Sequence, residues 1–167
     1  SNISVTGISS SIDKVLKLFV SDYNKSGFLV GHNVKFDINI IGAELFRLGN
    51  SIDIFQKDVL DTCTELTANV CKLPGGRGGK YKFPTLIEIY SLLFKEKFNE
   101  AHNASADVEA TSRVFFELVR KGVFDQSVFK GYPDLIDSIG NDENKPISLL
   151  GLKHLNLKEE SEKIKKN

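Results

Sequence analysis

The stretch Phe28–Asp37, which reads FLVGHNVKFD, contains the transition that decides the fold of this chain. Its first four residues form an apolar run after Gly27, which is typical of a short buried strand. From Asp37 to Leu48 apolar residues recur at helical spacing, and Gly49 is suited to ending that helix. The stretch therefore predicts a strand that leads through a turn into a helix, with Asp37 on the first helical turn.

A second stretch, His102–Asp107, which reads HNASAD, gives another acid a similar setting. Ser105 can cap a helix whose apolar residues recur at helical spacing as far as Val119, and Gly122 is suited to ending it. Asp107 is therefore expected on the first turn of this helix.

Asp37, Asp107 and His102 carry the chemistry that these two stretches could perform. Unpaired backbone N–H groups and the positive end of the helix dipole favour an ionised carboxylate at a helix start. Two such carboxylates suit Mg²⁺ or Mn²⁺, and His102 could act as the general base toward a metal-bound water. Taken singly, an aspartate at a helix start is more often a cap, and a histidine on a loop is usually only exposed. The individual residues therefore leave a purely structural role open.

Four further elements are expected along the chain. The first is a helix for which Ser10 and Ser11 can provide the cap and Gly27 the end. A short strand is expected at Val59–Leu60, followed by a helix over Glu65–Cys71 that Asp61-Thr62 could cap. The last is a helix from Thr85 through Phe94. The Thr85 boundary is the sharpest of these, because Thr85 and Glu88 together make a capping box.

Composition limits the classes of function. The chain has 167 residues, 22 basic and 22 acidic, so a polyanion must be held by a local basic stretch or a metal rather than by overall charge. Cys63 and Cys71 do not form a CxxC pair and are expected to be reduced thiols. No apolar run is long enough to span a membrane and no secretory signal is present, so we expect a cytoplasmic protein without membrane contact.

A glycine-rich segment, Pro74–Lys82, is expected to be a mobile loop with little packing of its own. Arg77, Lys80 and Lys82 could contact phosphate there, and Tyr81 could stack on a base. A solvated loop is the favoured interpretation of so much glycine.

Several stretches resemble the DEDDh, or DnaQ-like, family of 3′-to-5′ exonucleases. Leu29–Asp37 is similar to the family's second exonuclease motif, and His102–Asp107 matches the His-x-Ala-x-x-Asp form of its third. Thr6–Ser9 resembles the stretch that follows the first motif, and Asp61-Thr62 is similar to an Asp-Thr pair after the fifth strand. The resemblance covers roughly residues 5–123.

The resemblance implies an α/β protein with the ribonuclease H-like exonuclease fold, in which helices flank a mixed sheet. It implies a metal-dependent 3′-to-5′ exonuclease that releases nucleoside monophosphates, with a role in DNA proofreading or repair. The substrate would be single-stranded or 3′-terminal nucleic acid, with DNA favoured over RNA. A DNA polymerase subunit is an expected partner.

The same resemblance assigns roles to individual residues. Asp107 would bind a Mg²⁺ or Mn²⁺ ion directly, Asp37 would serve a second ion directly or through water, and His102 would deprotonate the attacking water. Contacts with the terminal nucleotide would come from His32, Asn33 and Phe36. At its strand-to-helix junction, Phe36 is equally well explained as a core residue.

The chain departs from the family pattern at the first motif, an Asp-x-Glu on the first strand, which is not found before Thr6. Asp142-Glu143 lies in a polar linker, and a solvated surface role is the favoured explanation of Asp58, Asp61 and Glu65. We therefore expect this chain to bind metal weakly and to cleave poorly.

Loss of the family's first strands would expose apolar surface and sheet edges. We expect either a longer protein that includes those strands or a partner chain that supplies them, and the absence of methionine favours the first. Residues 1–130 are interpreted as an N-terminally incomplete exonuclease-like domain, and residues 131–167 as an extension with a linker and a charged tail. A different class of function remains open, namely a non-catalytic module that binds nucleic acid or a polymerase.

Overall fold

The computed structural model describes residues 6–98 and 103–132, which form an α/β arrangement. The helices and strands in this part of the chain are α1 (Thr6–Lys25), β1 (Phe28–Gly31), α2 (Lys35–Arg47), β2 (Asp58–Asp61), α3 (Glu65–Cys71), α4 (Leu86–Phe94) and α5 (Ala104–Arg120). The expected α/β class is confirmed. The chain divides into two compact units between Thr64 and Glu65, and each is described by itself.

In the first unit β1 and β2 lie side by side as parallel strands, with Phe28 opposite Asp58 and Gly31 opposite Asp61. Because α2 connects them, the three elements form a βαβ unit. The short strand expected at Val59–Leu60 is therefore correct. Parallel strands end at the same edge of a sheet, so the residues that follow Gly31 and Asp61 are neighbours.

The core of this unit joins α1 to the chain around the two strands. Its buried residues are Tyr23, Val34, Ile38 and Ile54. The Tyr23 hydroxyl donates a 2.9 Å hydrogen bond to the Asp53 carbonyl oxygen. The Lys57 ammonium donates to the carbonyl oxygens of Tyr23 and Ser26, and lies 4.6 Å from the Tyr23 ring centroid. These contacts fix the approach of the chain to β2.

Two expected helix starts differ from the structure. The first helix begins at Thr6, so Ser10 and Ser11 lie within it and do not cap it; serine costs only a few tenths of a kcal/mol inside a helix. In α5 the cap is Asn103 rather than Ser105, because the Asn103 side chain accepts a 3.1 Å hydrogen bond from the Ser105 N–H. Asparagine is among the most favourable N-cap residues.

The second unit is built around the packing of α4 on α5. Its buried cluster comprises Cys71, Ile89, Tyr90, Ala110, Val114 and Leu118. The capping box is confirmed at the start of α4: the Thr85 hydroxyl accepts from the Glu88 N–H and the Glu88 carboxylate accepts from the Thr85 N–H. The expected end of α5 at Gly122 is also correct, since this glycine has a φ of 70° after the last helical turn.

The glycine-rich segment contains one close approach of the backbone to itself. A Cβ on Gly76 would lie 2.2 Å from the Lys80 carbonyl oxygen, so the two sides of the loop approach closely. The Lys82 N–H donates a 2.9 Å hydrogen bond to the Leu73 carbonyl oxygen. Gly76 lacks a side chain and so permits this approach. Most residues of the segment are exposed, in agreement with the expectation of little packing. The linker and tail expected after residue 132 lie outside the described residues.

Candidate functional site

A turn of three residues, His32–Val34, connects β1 to α2. Asn33 adopts a left-handed conformation with φ 59°, which asparagine tolerates better than most residues. Gly31 precedes the turn, and a Cβ there would lie 2.5 Å from the Val34 Cγ2 atom. The close packing of Val34 thus requires a residue without a side chain immediately before the turn.

The Asp61 carboxylate holds this turn to the end of β2. Its Oδ1 accepts a 2.8 Å hydrogen bond from the Asn33 N–H, and its Oδ2 accepts a 3.2 Å bond from the Val34 N–H. Oδ1 also accepts a 2.8 Å bond from the Cys63 N–H. A carboxylate with three backbone donors is a strong local fastener. The solvated surface role expected for Asp61 is therefore wrong, because its carboxylate accepts these hydrogen bonds. The sequence does not predict the bonds from the turn, since Asn33 and Val34 lie 28 and 27 residues away and become neighbours of Asp61 only when the strands pair.

Thr62 makes a second connection between the strand ends. It is fully buried, its N–H donates to the Gly31 carbonyl oxygen at 2.9 Å, and its hydroxyl lies 3.1 Å from the same oxygen. The His32 Nδ1 atom lies 2.9 Å from the Thr62 hydroxyl oxygen. When that hydroxyl donates to Gly31, His32 must donate through Nδ1, which selects one tautomer of the neutral ring.

Asp37 lies on the first turn of α2, as expected, and it is exposed. Val34 precedes the helix and makes no side-chain capping bond, so the first-turn carboxylate is the acidic group that complements the helix dipole. Phe36 is 67% exposed, which makes its interpretation as a core residue wrong.

Cys63, next to the Asp61–Thr62 pair, is half-buried and, like Cys71, carries a reduced thiol. The expectation of two reduced thiols is consistent with this. Burial raises the pKa of the Cys63 thiol, and the nearby Asp61 carboxylate raises that pKa further. Cys63 therefore remains a neutral thiol near pH 7 and is a poor nucleophile.

In the second unit Asp107 lies on the first turn of α5, as expected, and is half-buried. Its N–H donates a 2.9 Å hydrogen bond to the Asn103 carbonyl oxygen, the first helical bond after the cap. His102 lies outside the described residues.

Carboxylate oxygens are the ligands that Mg²⁺ and Mn²⁺ prefer. Within residues 6–98 and 103–132, however, no three His, Cys, Asp or Glu side chains gather as a metal site. The described residues alone thus provide no complete ligand set. In the same ranges, no helix has the length and apolar character needed to cross a bilayer.

Sequence reasoning named every residue of the turn but missed the role of Asp61. The sequence signal for Asp61 was the Asp61-Thr62 pair, which resembles a pair found in the exonuclease family. The resemblance does not indicate what the pair does in the fold. Its function in the fold is to fasten the turn that carries His32 and Asn33.

Two characterised proteins are similar to this chain. The PolC-type DNA polymerase III of Caldanaerobacter subterraneus subsp. tengcongensis is 28% identical over 124 residues, which are 70% of this chain and 8% of the polymerase. The 3′-5′ exonuclease DinG of Bacillus subtilis is 33% identical over 94 residues, which are 56% of this chain and 9% of DinG. The chain thus spans less than a tenth of the length of either relative.

No protein-family model matches the chain, and no solved structure matches it. The similarities are to a protein named as an exonuclease and to one named as a DNA polymerase. At that coarse level they support a nuclease-type function related to DNA.

Proposed function

We propose that this chain acts in a metal-dependent 3′-to-5′ exonuclease, which releases nucleoside monophosphates from the 3′ ends of nucleic acids. One observation carries the proposal: the Asp61 carboxylate fastens the turn between β1 and the helix that bears Asp37. Catalytic groups must be held in fixed positions, and a fastened turn between two regular elements suits that need. The similarity to an exonuclease supports the same function independently of this geometry.

In this proposal Asp37, Asp107 and His102 are the catalytic residues. Asp107 binds a Mg²⁺ or Mn²⁺ ion directly, Asp37 serves a second ion directly or through water, and His102 takes the proton of the attacking water. When bound, such ions activate water and stabilise negative charge on the scissile phosphate.

The substrate contacts proposed for the first unit come from the turn and the start of α2. Phe36 is exposed enough to stack on a terminal base, and such stacking is tolerant of sequence because every base has a π-face. Asn33 lies in the turn and His32 begins it, so both are proposed to contact the terminal nucleotide.

The finer assignments belong to the same proposal. We propose the ribonuclease H-like exonuclease fold, with an exonuclease-like domain over residues 1–130 and an extension over residues 131–167. The similarity to a DNA polymerase III favours DNA over RNA as substrate, a role in proofreading or repair, and a polymerase subunit as partner.

The direction of digestion tests the proposal. Single-stranded DNA labelled at its 3′ or its 5′ end is incubated with the full-length protein and Mn²⁺, and an RNA of the same sequence serves for comparison. We expect the 3′ label to appear at once as a mononucleotide, while the 5′-labelled strand shortens stepwise. Binding without release of nucleotide would overturn the enzyme and leave the non-catalytic binding module. Immediate release of the 5′ label would overturn the proposed polarity.

A further inference from the structure

Two exposed aromatic residues lie between the glycine-rich loop and α4. From Lys80 to Thr85 the backbone has no turn or bend, and Lys80 and Thr85 both have extended φ and ψ angles. Tyr81 and Phe83 are 42% and 52% exposed, and Pro84 is buried. The two aromatic residues are therefore two positions apart on an extended segment, and both are open to solvent.

Two contacts of Lys82 hold this segment in place. The Lys82 ammonium lies 2.6 Å from the Glu88 Oε1 atom, and the Lys82 N–H donates to the Leu73 carbonyl oxygen. Pro84 fixes its own φ and restricts the residue before it to extended conformations. Tyr81 and Phe83 are therefore displayed on a segment whose backbone is already ordered.

The spacing of the two aromatic residues matches nucleic-acid bases. Residues two apart on an extended chain are separated by about 6.7 Å, which is about twice the ~3.4 Å rise between stacked bases. Two rings at this spacing can hold one base between them, or can each stack on one base of a single strand. Exposed aromatic rings of this kind are the usual platform for single-stranded nucleic acid.

The charges beside the two rings suit a phosphate backbone. Arg77 is exposed within the glycine-rich loop. Lys80 forms a 2.9 Å ion pair with Glu65, but both side chains are more than half exposed. Surface ion pairs of this kind contribute little, so a phosphate can replace Glu65 as the partner of Lys80.

We propose that Tyr81 and Phe83 form a stacking platform for single-stranded nucleic acid, with Arg77 and Lys80 as its phosphate contacts. The platform is additional to the nucleotide contacts proposed at His32, Asn33 and Phe36. The biological role of the platform rests on the proposed nuclease function. Binding of nucleic acid to the platform does not itself require hydrolysis.

Fluorescence anisotropy with labelled dT and rU oligonucleotides, in EDTA, tests the platform on the full chain. We expect Tyr81→Ala or Phe83→Ala to weaken binding by about 5-fold to 150-fold. Tyr81→Phe should bind as the parent does, because it keeps the ring, while Tyr81→Leu should bind as weakly as Tyr81→Ala. The two oligonucleotides distinguish DNA from RNA as the preferred strand.

Phe55→Ala is the matched control, because Phe55 is 63% exposed and belongs to the first unit. Circular dichroism establishes that each variant is folded. Equal affinities of the parent, Tyr81→Ala and Phe83→Ala would overturn the platform, as would equal loss in Phe55→Ala. Because EDTA prevents hydrolysis, loss of binding is measured separately from loss of nuclease activity, and either proposal can fail alone.

Salt dependence tests the phosphate contacts. For single strands the slope of log affinity against log salt is about −0.7 per phosphate neutralised. Arg77→Ala and Lys80→Ala should each make this slope less steep by about 0.7, while Lys17→Ala on the exposed side of α1 should leave it unchanged. An unchanged slope in Arg77→Ala and Lys80→Ala would remove both residues from the proposed surface.

Discussion

The turn between β1 and α2 requires glycine at position 31, because there is no room for a side chain there. A Cβ at this position would lie 2.5 Å from the Val34 Cγ2 atom, whereas a Cβ at Gly42 would meet the Ile54 Cγ2 atom at an ordinary 3.6 Å. Gly31→Ala should lower the free energy of unfolding by about 1–3 kcal/mol. Gly42→Ala, inside α2, should raise it by about 0.5–1 kcal/mol. Urea denaturation measures both, and destabilisation by Gly42→Ala alone would contradict this view of the turn.

Asp61 is the second residue on which the turn depends. Asp61→Ala removes the acceptor of three backbone N–H groups, and charge-assisted hydrogen bonds contribute about 1.5–3 kcal/mol each without being additive. We expect the free energy of unfolding to fall by about 2–4 kcal/mol, with a smaller loss in Asp61→Asn. Asp58→Ala, at the exposed start of the same strand, is the control. Equal small losses at positions 58 and 61 would show that the carboxylate does not fasten the turn.

At the scale of single residues, local chemistry could be predicted and long-range partners could not. The turn position of Asn33 and the first-turn positions of Asp37 and Asp107 follow from neighbouring residues. The partners of Asp61 depend on strand pairing, which the sequence does not specify directly. The exposure of Phe36 was undecided for the same reason.

At the scale of elements, the start of α4 gives a prediction of pH dependence. The pKa of Glu88 is lowered, first by its hydrogen bond from Lys82 and then by the Thr85 N–H. Because the folded pKa lies below the unfolded value of about 4.3, this contribution to stability is present above that pH. It is lost as the pH falls through the folded pKa.

Urea denaturation between about pH 6 and pH 3 measures this contribution. The parent should lose more stability on acidification than Glu88→Gln, which cannot titrate at this position. Glu109→Gln, on the exposed face of α5, should behave as the parent does. Parallel stability curves for the parent and Glu88→Gln would contradict the assigned role of the capping box.

The elements themselves were largely predictable, and their starts less so. The capping box of α4 was correct because both of its halves lie within four residues. The predicted start of α1 was wrong because serine can cap a helix or lie inside one. The periodicity of apolar residues does not distinguish a capping serine from an internal one. In α5, Asn103 and Ser105 are both good caps, and the side chain of Asn103 occupies that role.

At the scale of the whole molecule, Asp37 belongs to the first unit and Asp107 to the second. The sequence motifs named both acids because each motif is short and continuous. A complete set of metal ligands cannot be read from either motif, since ligands converge only through the tertiary fold.

The most direct test compares rates of 3′-mononucleotide release by the full-length protein and its variants, with Mn²⁺ and single-stranded DNA. Asp107→Asn should abolish detectable release, and His102→Ala should slow it by about two to four orders of magnitude because the general base is lost. Glu109→Gln, at an exposed position two residues further along α5, should retain the parent rate. Release that is undiminished in Asp107→Asn and His102→Ala would contradict the central claim that these residues carry out a 3′-to-5′ exonuclease reaction.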